Sequence, residues 1–185
     1  YENPFLDCTV TADFTGPSGR HIVREAYWDG GNIYRVSFAP TETGVWTYRL
    51  EAPEESGLNG AGGELTCMPY MGELAIYRHG FIRVSEDKRY FTYADGTPFF
   101  WLGDTHWEFS YRERWEESNH PDMDSMFKGM IDRRFRQGYT VYQTNLRSDR
   151  LMGGEGCYWQ SPGVPNVEFY QKELDRRMNY LADRG

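Results

Sequence analysis

Asp104, Thr105, His106 and Trp107 stand in a row directly after an apolar run in "PFFWLGDTHWEF". A carboxylate, a hydroxyl, an imidazole and an indole in succession offer hydrogen-bonding groups beside a flat ring with a polar edge. That combination suits a polyhydroxylated ligand such as a sugar. Farther on, "YTVYQTNLR" closes an otherwise apolar stretch with Gln143 and Asn145. An amide at the end of a buried strand must find partners, and sugar hydroxyls supply them.

Each of these residues also has a plainer reading. Asp104 either lines a pocket or caps its own loop by accepting backbone N–H groups. Trp107 either stacks on a sugar or packs the loop against a helix. Gln143 and Asn145 either meet substrate or bond one another. His106 and Asp104 form an i, i+2 pair without further ligands, so a hydrogen-bonded structural histidine is expected rather than a metal ligand. Arg147 either grips an acidic sugar or pairs with Asp149 at the surface, and the surface pair is the expected one. Tyr158 and Trp159 are loop aromatics.

The elements that must position these groups have two different periods. Residues 1 to about 78 alternate: "CTVTADF" puts Val10, Ala12 and Phe14 on one side, and "IYRVSFAP" and "GVWTYRLEAP" repeat the pattern. "GPSG" and "WDGGN" supply turns between them. Short strands with Gly/Pro punctuation predict a small immunoglobulin-like β-sandwich over 1–79, with Trp28, Trp46 and Tyr48 as core or packing residues. "SGLNGAGGEL" is Gly-rich, but no helix follows it, so it reads as a loop rather than a phosphate cradle. Residues 80–97 predict a connecting β-hairpin.

From 98 onward the pattern is strand, helix, strand, helix. The run "PFFWLGDT" predicts a doubly covered parallel strand. Met123, Met126, Phe127, Met130 and Ile131 then mark one helix face, with Asp122 or Asp124 as cap and Gly138 as stop. "YTVYQTNL" predicts a second strand. In the second helix Asn166 is the cap, Tyr170, Leu174, Met178 and Leu181 the stripe, and Gly185 the stop. The fold class is therefore multidomain β plus α/β: a sandwich over 1–79, then over 98–185 the first β/α units of a TIM-type barrel. The chain stops where a third strand is expected, so this half reads as cut short.

In such barrels the reactive groups sit at the C-terminal ends of the strands. Period-2 alternation then sends Asp104 into the mouth with Leu102 and Phe100 below it, while Val141, Gln143 and Asn145 share a face of the next strand. Both segments that follow the strands are long and rich in aromatics (Trp107, Tyr111, Trp115, Tyr158 and Trp159), as functional loops are.

Composition narrows the partners. The net charge of -8 argues against nucleic acid, which needs clustered Lys and Arg, and no apolar run approaches the length of a membrane span. Three cysteines, Cys8, Cys67 and Cys157, lack C-x-x-C spacing, so a zinc site is not expected; no cofactor is expected either. A Cys8–Cys67 bridge and free buried thiols both remain open. "YENPFLDC" has no basic or apolar leader region. The compartment is left open, bacterial cytoplasmic or, if a signal peptide has been removed, secreted or periplasmic. Aromatic residues make up 17% of the chain, with 14 Tyr and 6 Trp, again in keeping with a carbohydrate partner.

"NPFLDCTVTADFTGPSG…YWDGGNIYRVSFAPTETGVWTY" resembles the DUF5060 β-sandwich that precedes certain glycosidase barrels. The remainder, through "YFTYADGTPFFWLGDTHW", "RRFRQGYTVYQTNL" and "NVEFYQKELDRRMNYLADRG", resembles the DUF4038 or apiosidase-like (β/α)-barrel glycoside hydrolases. The resemblance implies a glycosidase acting on side chains of plant or microbial polysaccharides or oligosaccharides, plant cell-wall glycans among them. By that resemblance Asp104, Trp107, Gln143 and Asn145 line the sugar pocket, and the candidate substrate-binding set also takes in His106 and Trp159. Its catalytic acid/base and nucleophile are expected on later strands, so this portion alone is expected to be inactive. The competing reading from another class is a non-catalytic carbohydrate-binding or adhesion protein built on the sandwich.

Overall fold

The computed structural model describes residues 1–53, 57–107, 109, 112–144 and 158–185. The chain divides into two compact units, Tyr1–Met71 with Ser161–Val167, and Gly72–Gln160 with Glu168–Gly185.

In the first unit a short helix α1 (Pro4–Asp7) precedes β1 (Thr11–Thr15), β2 (His21–Glu25), β3 (Tyr27–Trp28), β4 (Tyr34–Arg35), β5 (Gly44–Glu51) and β6 (Gly62–Cys67). Four of these strands form one antiparallel sheet in the order β2-β1-β5-β6. Strict alternation explains it: Ala12, Phe14 and Trp46 are buried, while Thr11, Asp13, Thr15, Thr47 and Arg49 point the other way. Phe14 stacks on Phe38 with ring centroids 3.8 Å apart, and Phe38 meets the edge of Trp46. The Trp46 indole N–H donates to the Glu42 carbonyl at 2.9 Å, so its burial leaves no orphan donor.

Opposite this sheet the expected second layer is slight. Among the described residues it contributes the two-residue ribbon β3–β4, whose "DGGN" turn is closed by Gly30 and Gly31 at positive φ. Cys8 and Cys67 are both free and pack in different apolar clusters. The Cys8–Cys67 bridge is thereby set aside.

The second unit opens with α2 (Ala75–Arg78) and an antiparallel three-stranded sheet of β7 (Arg83–Val84), β8 (Phe91–Thr92) and β9 (Pro98–Phe99). β10 (Gly103–His106) and β11 (Val141–Thr144) then lie side by side in parallel, with α3 (Met126–Arg136) between them in sequence. The ribbon β12 (Trp159–Ser161) and β13 (Val164–Pro165) follows in the chain, with Ser161 and β13 belonging to the first unit. A last helical stretch runs through α4 (Val167–Phe169), a π-helical segment Tyr170–Asp175, and α5 (Arg176–Ala182).

Three local expectations are corrected here. The apolar run at 98–104 is not one strand. Pro98 and Phe99 pair antiparallel with β8, the chain bends through 100–102, and the parallel strand begins only at Gly103. Thr140 holds the bend, its hydroxyl donating to the Phe100 carbonyl and accepting from the Leu102 N–H. Phe100 and Trp101 are consequently 73% and 53% exposed instead of buried.

The cap of α3 is Ser125, whose hydroxyl accepts from the Lys128 N–H at 3.2 Å, and not Asp122 or Asp124. Met123 lies before the helix. In the last helix the π-helical segment adds a residue to the turn. It carries the inward position from Phe169 to Leu174, five residues on, and the next inward place falls to Arg177, 2% exposed, while Met178 faces out.

The core of this unit gathers Phe109, Phe127, Ile131, Tyr158, Phe169 and Leu174. Trp115, Tyr142 and Trp159 pack against it.

Candidate functional site

The β10–β11 register decides where each side chain points. Asp104 pairs with Tyr142, Thr105 with Gln143, and His106 with Thr144. Partners in register share a face, so Asp104, His106 and Tyr142 lie on one side and Gly103, Thr105, Val141 and Gln143 on the other. The first side is the helix side: Tyr142 meets Phe127 of α3, and Asp104 meets Arg134 of α3. The second side is open, with Thr105 and Gln143 exposed. The expectation that Asp104 and Gln143 share one cavity is thus replaced by an arrangement on opposite faces. Strand alternation was read correctly; its phase was not.

On the helix side the polar groups form a continuous chain. Asp104 Oδ2 accepts from Arg134 Nε, and Oδ1 accepts from the Thr105 N–H at 3.0 Å. Burial alone would raise the Asp104 carboxyl, but the Arg134 hydrogen bond and the neighbouring His106 and Arg134 charges outweigh it and hold it below its usual range. His106, almost fully buried, gives Nδ1 to Glu113 Oε1 at 2.7 Å. Its Nε2 lies 3.3 Å from Asp104 Oδ2, close enough for an ion pair yet not aligned for a hydrogen bond. The Tyr142 hydroxyl donates to Glu113 Oε2 at 3.0 Å, and its ring stacks on the His106 imidazole at 4.4 Å. Burial, then the adjacent Glu113 carboxylate, raises the Tyr142 phenol, so it serves as a fixed donor.

Arg177 fastens this chain to the last helix. Its Nε donates to the Phe109 carbonyl and its Nη2 to the Glu113 carbonyl, both at 3.1 Å, while Nη1 bonds Glu173. These buried charges are matched by partners, as their burial requires.

Of the candidate residues, then, Asp104 and His106 join a buried polar network, and Gln143 stands exposed on the opposite face. Trp107, next after β10, is 69% exposed. Trp159 packs half-buried against the core on β12, away from the two parallel strands in sequence and in role. Asn145 lies outside the described residues, as do Tyr111, Arg147, Asp149 and Cys157. Sequence reasoning missed Glu113, Arg134, Tyr142 and Arg177. Tyr142 was within reach, since it is the register partner of Asp104, but no local spacing marks Glu113 or Arg177. Among the described residues no cluster of His, Cys, Asp and Glu is arranged to hold a metal ion, and no helix is long and apolar enough to cross a membrane.

Asp104 and Glu113 bracket an imidazole on the covered face, which makes them a tie between elements and not a carboxylate pair open to a substrate.

Family comparison also divides the chain into a front and a rear part. Residues 1–53 match DUF5060, a domain of unknown function, and residues 85–185 match the apiosidase-like catalytic domain. The second match covers more than half of the sequence, and the chain belongs to the apiosidase-like family. No curated protein matches it. Among solved structures it is similar to a Bacteroides vulgatus ATCC 8482 protein described as a "putative glycoside hydrolase". The TM-score is 0.69 at 22% identity, over 99% of this chain and 36% of that one. The likeness is one of fold, and the chain spans about a third of that protein's length.

Proposed function

We propose that this chain is the N-terminal portion of a glycoside hydrolase acting on side chains of polysaccharides or oligosaccharides, plant cell-wall glycans among them. In this reading β10–α3–β11 and the last helix are the first β/α units of a TIM-type barrel, and the β-rich unit before them is its leading sandwich. The observation that carries it is the apiosidase-like match over 85–185, which contains both parallel strands and the segment after each.

The open face supports the same reading. Thr105 and Gln143 offer a hydroxyl and an amide, and Trp107 stands exposed at the C-terminal end of β10, where barrel ligands bind. The indole stacks on a sugar ring while the amide bonds its hydroxyls. Asp104 and His106 act from behind, holding the strand that carries these groups. Asn145 belongs to the same proposed set.

Hydrolysis needs two carboxylates roughly 5 to 9.5 Å apart about the scissile bond, and Asp104 and Glu113 are committed to His106. In this reading the acid/base and nucleophile lie on later strands. The test is a screen of the complete gene product on pectic and hemicellulosic oligosaccharides. Hydrolysis that falls sharply in Gln143→Ala and Trp107→Ala, with the fold intact, is expected. A folded product inert on every glycan defeats the proposal.

The adhesion alternative finds less support. Phe14 and Trp46 face inward, and the outward positions Thr11, Asp13, Thr15, Thr47 and Arg49 of β1 and β5 give that sheet face no platform for stacking; the exposed aromatics Tyr1, Phe5, Tyr27 and Tyr70 of this unit lie off these two strands.

A further inference from the structure

Glu113 lies outside every strand and helix, yet two strands end on it. Its Oε1 accepts from His106 of β10 and its Oε2 from Tyr142 of β11. Its own carbonyl is gripped by Arg177, and so is that of Phe109. Because a carboxylate only accepts, both protons point toward Glu113 and both rings are fixed in orientation. His106 is held a third way, its carbonyl accepting from the Thr144 hydroxyl at 2.8 Å. The residue directly after this thrice-held histidine is Trp107, and the residue directly after Tyr142 is Gln143. The two groups assigned to ligand are each one peptide away from a side chain that Glu113 fixes.

We propose that Glu113 is a positioning residue: acting through His106 and Tyr142, it sets where Trp107 and Gln143 stand relative to each other. The proposal rests on the glycosidase reading for what those two residues bind, but not for the positioning itself. Glu113 touches no substrate, since it is buried on the helix side of the pair. Its contribution is preorganisation. A binding constellation tolerates little displacement, and neighbours locked by hydrogen bonds keep it in place. Neutralising the carboxylate without changing its shape preserves the effect: a glutamine amide accepts from His106 and donates to the Tyr142 oxygen.

The experiment is fluorine NMR of the complete gene product labelled with 5-fluorotryptophan, with the Trp107 resonance assigned through Trp107→Phe. In Glu113→Ala the Trp107 resonance is expected to shift and broaden, while Trp46, buried in the other unit, keeps its own. Glu113→Gln is expected to restore the Trp107 line. A merely structural role would lower the melting temperature and leave the Trp107 resonance of the folded protein where it was, which overturns the proposal. If Glu113→Ala does not fold, His106→Gln and Tyr142→Phe each remove one arm and carry the same expectation and the same refutation.

Titrating the pectic oligosaccharides into the wild type separates the two readings. A Trp107 line that never responds to glycan defeats the ligand assignment, while its response to Glu113→Ala still decides the positioning.

Discussion

Replacing Arg177 with methionine strips a guanidinium from the centre of the second unit while leaving a side chain that fills most of its stem. Two carbonyls, those of Phe109 and Glu113, then lose their donor in a site that water does not reach. Each unsatisfied buried acceptor costs about 1–3 kcal/mol. Glu173 keeps Arg176 as a partner through two hydrogen bonds, so its carboxylate adds little. The guanidinium also sits 5.3 Å over the Phe127 ring, a contact that the thioether partly replaces. The expected loss is about 4 kcal/mol, in line with breaking a buried charged network. Native-state hydrogen exchange of the α3 and β11 amides reads the free energy of this unit separately from the other. Arg177→Lys should lose nearly as much, because one ammonium cannot serve two carbonyls and a carboxylate in the fork geometry that Arg provides. A loss below about 1 kcal/mol for Arg177→Met would refute the claim that this side chain holds the segment after β10.

Other expectations follow from single contacts. Ser125→Ala removes the cap of α3 and should cost about 1 kcal/mol by denaturant unfolding, with Ser125→Asp nearly neutral. Asp104 has a folded pKa below its unfolded one, so it contributes stability above the unfolded value that is lost as pH falls through the folded value. Asp104→Asn should flatten that acid limb, and an unchanged limb would argue against the Arg134 tie. Asp95 accepts from the Thr97 N–H and pairs with His79, which holds its carboxyl at about 2. NMR titration should find its midpoint there, with its stabilising share present above about 4 and lost as pH falls toward 2. The 185-residue chain by itself should not turn over chromogenic glycosides, and clean turnover by it would overthrow the placement of the catalytic carboxylates downstream.

Much of this architecture was legible because it follows from period alone. Ala12, Phe14 and Trp46 alternate, and Phe127 and Ile131 recur at helical spacing. Gly138 stops α3 through its positive φ of 81°. What escaped was phase and non-local pairing. "PFFWLGDT" reads as one strand because apolar content says nothing about a bend. The bend is made by Thr140, some forty residues away in sequence. Moving the strand start to Gly103 does not itself decide which side Asp104 takes. That choice is made by Arg134, which offers the carboxylate a partner on the helix side. Glu113 carried no signal, because its meaning lies in His106 and Tyr142 meeting across two strands.

The wide turn between Phe169 and Arg176 has a consequence for how this sequence can vary. Deleting one residue inside 170–175 would let the segment wind as ordinary helix, and because a π turn holds one residue more than an α turn, everything after it would keep its facing. Arg177 would stay at its inner place, and the carbonyls of Phe109 and Glu113 would keep their donor. Losing a residue between Leu174 and Arg177 without that unwinding would instead turn the guanidinium away by roughly 100°. The wide turn is thus a spare residue that this helix can give up without unfastening the segment that follows the first parallel strand.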